Sequence, residues 1–181
     1  MRPLYTFRAE TPNFDPRIMA INVVHLSKTP LAGSPVRIVN ALNAHTEVEA
    51  SLIVGNPDHY GDRVYAGGLD WRVDRDEGMA AIEKADILHL HRYMDLRQKP
   101  FGLDFEALAK QGKVVVRQFH TNPGVISKRL GISVDSVVND PLPQLVVSQF
   151  HERFYPQARL VPNIVPIHDA PYTPMETSGD T

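Results

Sequence analysis

Two short apolar runs in this chain each break off at histidine. Val114-Val115-Val116 leads through Arg117-Gln118-Phe119 to His120-Thr121, and Asp86-Ile87-Leu88 leads to His89-Leu90-His91. Runs of this kind, bounded by helix signals, belong to buried strands of a sheet covered on both faces. Ligands of such open sheets bind at the carboxyl ends of the strands. An imidazole placed there can donate, accept or change charge near neutrality. The pair of runs therefore predicts a cleft with histidine in its wall.

Around these runs the chain alternates strand and helix. Ile21–Leu26 reads as a first strand, and Ser34 then looks like an N-cap with Pro35 at the first helical position. Ile38, Val39 and Leu42 supply the apolar stripe of that helix. Ala50–Val54 is a second strand, closed by Gly55-Asn56-Pro57. The stretch from Asp58 to Arg75 is the least legible, with a strand expected near Val64-Tyr65 and a turn at Gly67-Gly68. Asp76 is expected to cap a helix through Lys84, and Asp86 to turn it into the strand that ends at His91. Asp104 caps a helix carrying Phe105 and Leu108, which Gly112 ends. The strand Lys113–Phe119 follows, then a helix from Asn122-Pro123 to about Gly131. Leu145–Ser148, a short helix over Gln149–Tyr155 and Arg159–Val161 complete the pattern. The fold class expected is α/β: a Rossmann-like, doubly wound, mostly parallel sheet with right-handed crossovers. Residues 1–18 read as an extension, 19–166 as the folded lobe and 167–181 as a polar tail or the start of a linker.

Composition excludes several function classes. The 181 residues carry a net charge of −2, so no broad basic field points to nucleic acid. Cysteine is absent, which removes disulfides, thiolate catalysis and cysteine-ligated zinc together. No apolar run approaches the ~20 residues of a membrane span. Met1–Arg17, with Arg2, Arg8, Glu10, Asp15 and three prolines, lacks the apolar centre of a signal peptide. A cytoplasmic protein is the expectation, with peripheral membrane association left open.

Three places carry chemistry. The turn Ser27–Pro35 puts Gly33 beside a helix start, where free N–H groups and the helix dipole favour an anion such as phosphate. It is neither GxGxxG nor GxxxxGK[ST], so the standard dinucleotide and triphosphate loops do not fit. The plain alternative is a helix start that needs a small residue. In His89-Leu90-His91, alternate residues share one face, and the two imidazoles could meet a metal with His120 as third ligand. With no carboxylate placed beside them, the preferred reading is that His89 packs inside or satisfies a backbone carbonyl, His91 reaches the cleft rim, and Arg92 and Tyr93 hold a polar ligand; no metal is expected. At His120-Thr121-Asn122-Pro123 a polar cluster sits where a strand hands over to a helix, a place suited to a hydroxyl-rich ligand such as a sugar. Here the alternative is that Asn122 is merely a cap and His120 a satisfied interior residue.

Four stretches together resemble a family. Val23-Val24-His25-Leu26 with the loop through Gly33 is similar to the first strand and loop of the N-terminal lobe of a GT-B glycosyltransferase of the retaining family 4 type. Ala85–His91 resembles that family's "aDivHxH" strand, and Val114-Val115-Val116 with Phe119-His120-Thr121 its "vvvtfHt". Val146-Val147-Ser148 with Leu160-Val161-Pro162-Asn163-Ile164-Val165 resembles "vvS…viPNgvd", the entry to the interdomain hinge. Ile164 stands where the family has glycine, and Pro166 where an acidic residue is common. The family's pair of donor-lobe glutamates, separated by seven residues, has no counterpart in the sequence.

The resemblance implies transfer of a sugar from a nucleotide-sugar donor to a glycan or lipid-linked acceptor hydroxyl. Configuration would be retained, with no essential metal or other cofactor, and with a C-terminal donor-binding lobe supplied in cis or in trans. It implies that Gly33 and Ser34 lie against donor phosphate or sugar, and that His120 acts at the reaction centre. His91, Arg92 and Thr121 would hold the acceptor, Ser148 would mark the cleft edge, and Asn163 would shape the hinge. Alone, such a lobe binds weakly and catalyses little. Two other readings stand beside it: a stand-alone glycan- or phosphate-binding module, and an unrelated doubly wound hydrolase with a histidine-centred cleft. Against the last, the sequence has no GxSxG elbow and no cysteine nucleophile.

Overall fold

A computed structural model of the chain describes residues 20–58 and 67–165. The 1–18 extension, the strand expected at Val64-Tyr65, Pro166 and the 167–181 tail lie outside the described residues. Seven strands form one sheet: β1 (Asn22–Ser27), β2 (Glu49–Val54), β3 (Leu69–Asp70), β4 (Ile87–His91), β5 (Val114–Phe119), β6 (Gln144–Val146) and β7 (Arg159–Leu160). Their spatial order is β3-β2-β1-β4-β5-β6-β7, and every pairing is parallel. The chain winds outward from β1 to β3, returns to β4 and continues to β7. The α/β Rossmann-like fold expected from the strand–helix rhythm is present, with its topological switch point between β1 and β4.

Among the described residues, six α-helices accompany the sheet: α1 (Ser34–His45), α2 (Arg75–Lys84), α3 (Phe105–Lys110), α4 (Pro123–Leu130), α5 (Val134–Val138) and α6 (Gln149–Glu152). None is long and apolar enough to cross a membrane. Alternation along β2 shows which face each helix covers. Leu52 and Val54 pack with Val39 of α1, whereas Ile53 between them packs with Val24, Leu26, Leu88 and Leu90 against Ile82 of α2 and Phe105 of α3. Successive strand residues point to opposite faces, so α1 lies on one side of the sheet and α2 and α3 on the other. The α2 side is the apolar core, where Leu26, Ile53, Leu88 and Leu90 are fully buried. Burying each such side chain contributes roughly 1.5–3 kcal/mol.

The local signals act mostly as the residue types dictate. The Asp104 side chain accepts from the Ala107 N–H at the start of α3, and Asn122 accepts from Gly124 at the start of α4. Gly112 and Gly131 take the left-handed conformation just past α3 and α4. Asp86 accepts from the Asn22 N–H, tying the entrance of β4 to that of β1.

Two caps differ from expectation. Ser34 is the first residue of α1 rather than its cap: Gly33, at φ 78°, turns a preceding 3₁₀ turn into the helix, and the Ser34 hydroxyl donates to Asn163 Oδ1. For α2 the cap position falls on Asp74, not Asp76. Asp74 accepts from the Asp70 N–H across the turn, so that turn sets where the helix begins. The helix α5 was not expected; Ser133 caps it by accepting from Ser136.

One charged group belongs to the core. Arg117 of β5 is 1% exposed and pairs with Asp140 at 3.0 Å. It also donates to the Met94 carbonyl at 3.1 Å and lies over the Tyr93 ring, 4.7 Å from its centroid. Burial pulls its pKa below the ordinary value while Asp140 opposes the shift. Arginine starts so high that the guanidinium stays charged. Removing one partner strands a buried charge. Arg117→Met is expected to lower unfolding stability by about 3–5 kcal/mol in urea titrations. The double variant Arg117→Met/Asp140→Leu should recover most of that loss, and equal loss in both would show that the pair is not what matters.

Candidate functional site

A cleft of about 750 Å³ opens at the carboxyl edge of the sheet. The loop after β1 contributes Lys28 and Thr29, the loop after β2 contributes Gly55 and Asn56, and the loop after β4 contributes Arg92, Tyr93 and Asp95. The exit of β5 contributes His120 and Thr121, and α4 adds Arg129 from the far wall. Trp71 and Phe101 give the cleft an aromatic side, their rings set edge to face at 5.7 Å. Trp71 seats against α2 because position 78 is glycine: a Cβ there would meet the indole at 3.0 Å. The cleft thus joins cationic and hydrogen-bonding groups to flat apolar faces, at the switch point where open α/β sheets take ligands.

Arg92 reaches the cleft through an unusual backbone. Its φ is 71°, left-handed for a residue with a Cβ. Such a conformation costs on the order of 1–3 kcal/mol and persists where the surroundings over-determine it. Here the Arg92 N–H donates to the Gln118 carbonyl at 2.9 Å, and Arg117 holds the same loop at Met94. The buried ion pair and the strained loop are one construction.

Beneath the cleft floor lies a set of histidines on the α1 face of the sheet. Register places His25 of β1 beside His89 of β4, and Ser27 beside His91. His25 Nδ1 and His91 Nε2 are 3.0 Å apart and share a hydrogen bond. His91 Nδ1 and His120 Nε2 share another at 3.1 Å. His89 stacks on His91 with centroids 4.6 Å apart and lies 4.5 Å from the His25 ring. Three imidazoles therefore run in a hydrogen-bonded line from the interior to the cleft wall, with a fourth packed alongside.

Burial decides the charge of all four. It pushes His25 down to about 2, helped by neighbouring His89, and His89 down to about 4. His91 lies well below its ordinary value through burial and then the surrounding imidazoles. His120 falls to about 3, through burial first and the Arg92 guanidinium second. At neutral pH the line is uncharged.

The sequence-predicted residues fall into three places. His120, Thr121 and Arg92 line the cleft. His91 does not reach the rim: it is wholly buried, because β5 beside it extends further and His120 covers it. Gly33, Ser34 and Asn163 gather elsewhere, where Ser34 donates to Asn163 and Arg37 donates to the Ile164 carbonyl at 2.9 Å. These bonds tie the start of α1 to the segment after β7. Ser148 caps α6, accepting from the His151 N–H. Neither that cluster nor Ser148 lines the cleft.

His25 was missed as a site residue. Its signal was available: a histidine on the strand that parallel pairing sets beside an HxH strand. Trp71 was missed because the segment around it has no clear period.

Among the described residues, His25, His89 and His91 form a group whose metal-capable atoms lie within 4.8 Å of one another. The 3.0 Å between His25 Nδ1 and His91 Nε2 is a hydrogen-bond separation. Two nitrogens on a tetrahedral zinc at ~2.0–2.1 Å would stand about 3.4 Å apart. As it stands, the arrangement is that of a hydrogen-bonded array.

No protein family, curated protein or solved structure was found to match the chain.

Neutral buried imidazoles make stability depend on pH with a definite sign. The unfolded chain takes up protons near pH 6.5 and the folded chain refuses them until far lower. The contribution of these imidazoles to stability is therefore flat above about pH 6.5. It falls below that pH by about 1.4 kcal/mol per pH unit for each imidazole held neutral. Urea titrations from pH 7.5 to 4.5 should show this fall, and His25→Phe should make it shallower. A wild-type profile flat through pH 5 would mean that the native imidazoles take up protons freely.

Proposed function

We propose that this chain is the acceptor-side N-terminal lobe of a retaining GT-B glycosyltransferase, similar to the family 4 type, working with a C-terminal donor-binding lobe in cis or in trans. The observation that carries the reading is the cleft at the β1/β4 switch point, in which His120 and Thr121 meet Arg92, Lys28 and two aromatic faces. Aromatic faces pack against the apolar side of a sugar ring, and the polar groups bind its hydroxyls. Lys28, Arg92 and Arg129 favour phosphate, whether of the donor or of an acceptor. The order and spacing of the four sequence stretches add to this, with His120 where "vvvtfHt" has its histidine.

In the reaction, the sugar's anomeric bond to the donor phosphate oxygen breaks and a bond to the acceptor hydroxyl oxygen forms on the same face. The acceptor hydroxyl proton passes to the departing phosphate oxygen, which leaves with the nucleotide. His120 lies in the cleft wall and hydrogen-bonds the reacting sugar or acceptor. Thr121 and Arg92 orient the acceptor. Gly33 and Ser34 lie against the donor phosphate or sugar brought by the second lobe, and Asn163, which accepts from the Ser34 hydroxyl, shapes the hinge. Fixed groups aimed at developing charge are worth more than the same groups in water, because they need no reorganisation.

The test uses the enzyme assembled with its donor lobe and reads nucleotide release from a panel of sugar nucleotides. His120→Ala is expected to reduce transfer by about 10²–10³-fold, the scale for losing one positioned polar group. Thr121→Ala should raise the acceptor KM more than it lowers kcat. Full-rate transfer by His120→Ala would sink this reading. Glycan or phosphate binding without turnover in the assembled protein would favour a binding module.

A further inference from the structure

The line of three imidazoles has only two self-consistent proton arrangements. A neutral imidazole carries one N–H and one bare nitrogen. His91 uses both of its nitrogens, Nε2 toward His25 and Nδ1 toward His120. Each shared bond needs one proton, so the line points wholly outward or wholly inward. Outward, the protons sit on Nδ1 of His25, His91 and His120. Inward, they sit on Nε2 of all three.

The buried end decides between them. Among the described residues, His25 Nε2 is buried with no hydrogen-bond partner. The inward arrangement would leave an N–H there, unsatisfied in the interior. The outward arrangement leaves only a bare lone pair, and orphaned buried acceptors are tolerated more often than orphaned N–H groups. We infer that His25, His91 and His120 each carry their proton on Nδ1, so that His120 faces its ligand as an N–H donor, with His91 and His25 as the positioning residues that hold it in that tautomer.

His120 Nε2 is taken by His91, which leaves Nδ1 as the nitrogen available to the cleft. The partner it selects is an oxygen lone pair, on a phosphate, a ring or a hydroxyl. It is not placed to remove a proton. Burial keeps the imidazoles neutral, and the Arg92 guanidinium beside His120 acts in the same direction. The identity of that oxygen rests on the glycosyltransferase reading; the tautomers themselves belong to the ligand-free lobe.

Long-range proton–nitrogen correlation spectra of the ¹⁵N-labelled chain near pH 7.5 read each tautomer directly, with no ligand present. His25, His91 and His120 are expected as Nδ1–H, while exposed His45 should favour Nε2–H as free imidazole does. An Nε2–H signal from His120 would overturn the inference. His91→Asn keeps an amide donor near the Nδ1 position and should leave His120 on Nδ1. His91→Asp supplies an acceptor and should move the His120 proton to Nε2. If the aspartate variant fails to fold, the wild-type and asparagine spectra still decide. Zn²⁺ added alone should leave the spectra unchanged; stoichiometric binding that abolishes the shared-proton signals would also overturn the assignment. Nδ1–H tautomers in a protein that transfers no sugar with any donor lobe would remove the glycosyltransferase reading and leave this one standing.

Discussion

The parallel register that seats β4 between β1 and β5 is the constraint on which the rest depends. It aligns Leu88 and Leu90 with Val24 and Leu26 on one face, where α2 and α3 close an apolar core. By the same step of two residues it aligns His89 and His91 with His25 and Ser27 on the other face. A slip of one residue would exchange the faces, burying imidazoles among leucines and turning leucines toward α1. The histidines can be inside because they satisfy one another: polar groups out of water are costly unless hydrogen-bonded. His25 and His89 each keep one nitrogen without a partner among the described residues, so the array is not fully satisfied. That residue of unmet hydrogen bonding sets the direction of the proton line.

A second construction fixes the cleft's rim. Arg117 points into the opposite side of the sheet from the histidines, yet it governs the same site. Its contacts with Asp140, Tyr93 and Met94 hold the loop after β4, and that loop carries Arg92 at a left-handed φ. A surface pair would do this poorly, because solvent screens the attraction and both side chains remain mobile. With both partners buried, the attraction is stronger and the desolvation already incurred in folding penalises any arrangement that separates them. Core packing and site geometry are thus joined through one side chain.

The strands were legible because their apolar, β-branched runs are short and bounded by Gly, Pro, Asp and Asn. The caps Asp104 and Asn122 were legible because a side-chain acceptor three or two residues ahead of a free N–H is a local matter. Ser34 and Asp76 were misread where the decisive contact was not the helix's own. Ser34 answers to Asn163, 129 residues away in sequence. The start of α2 answers to the turn at Asp70. The helix α5 escaped notice because Val134–Val138 is a single turn and a half: Val134, Val137 and Val138 have helical spacing, but one turn is too short for a period to stand out.

The sequence by itself determined the strand–helix alternation, the α/β class and the histidines at strand ends, because these follow from side-chain periodicity and turn chemistry over a few residues. Only the tertiary structure decided which histidine lines the cleft. His91 and His120 both end a strand, but β5 runs further than its neighbour, so His120 closes over His91 and buries it. Tertiary structure alone also brought His25 into the line and Arg117 under the loop that holds Arg92. Relative strand length, register and burial are properties of neighbours distant in sequence, and no local pattern encodes them.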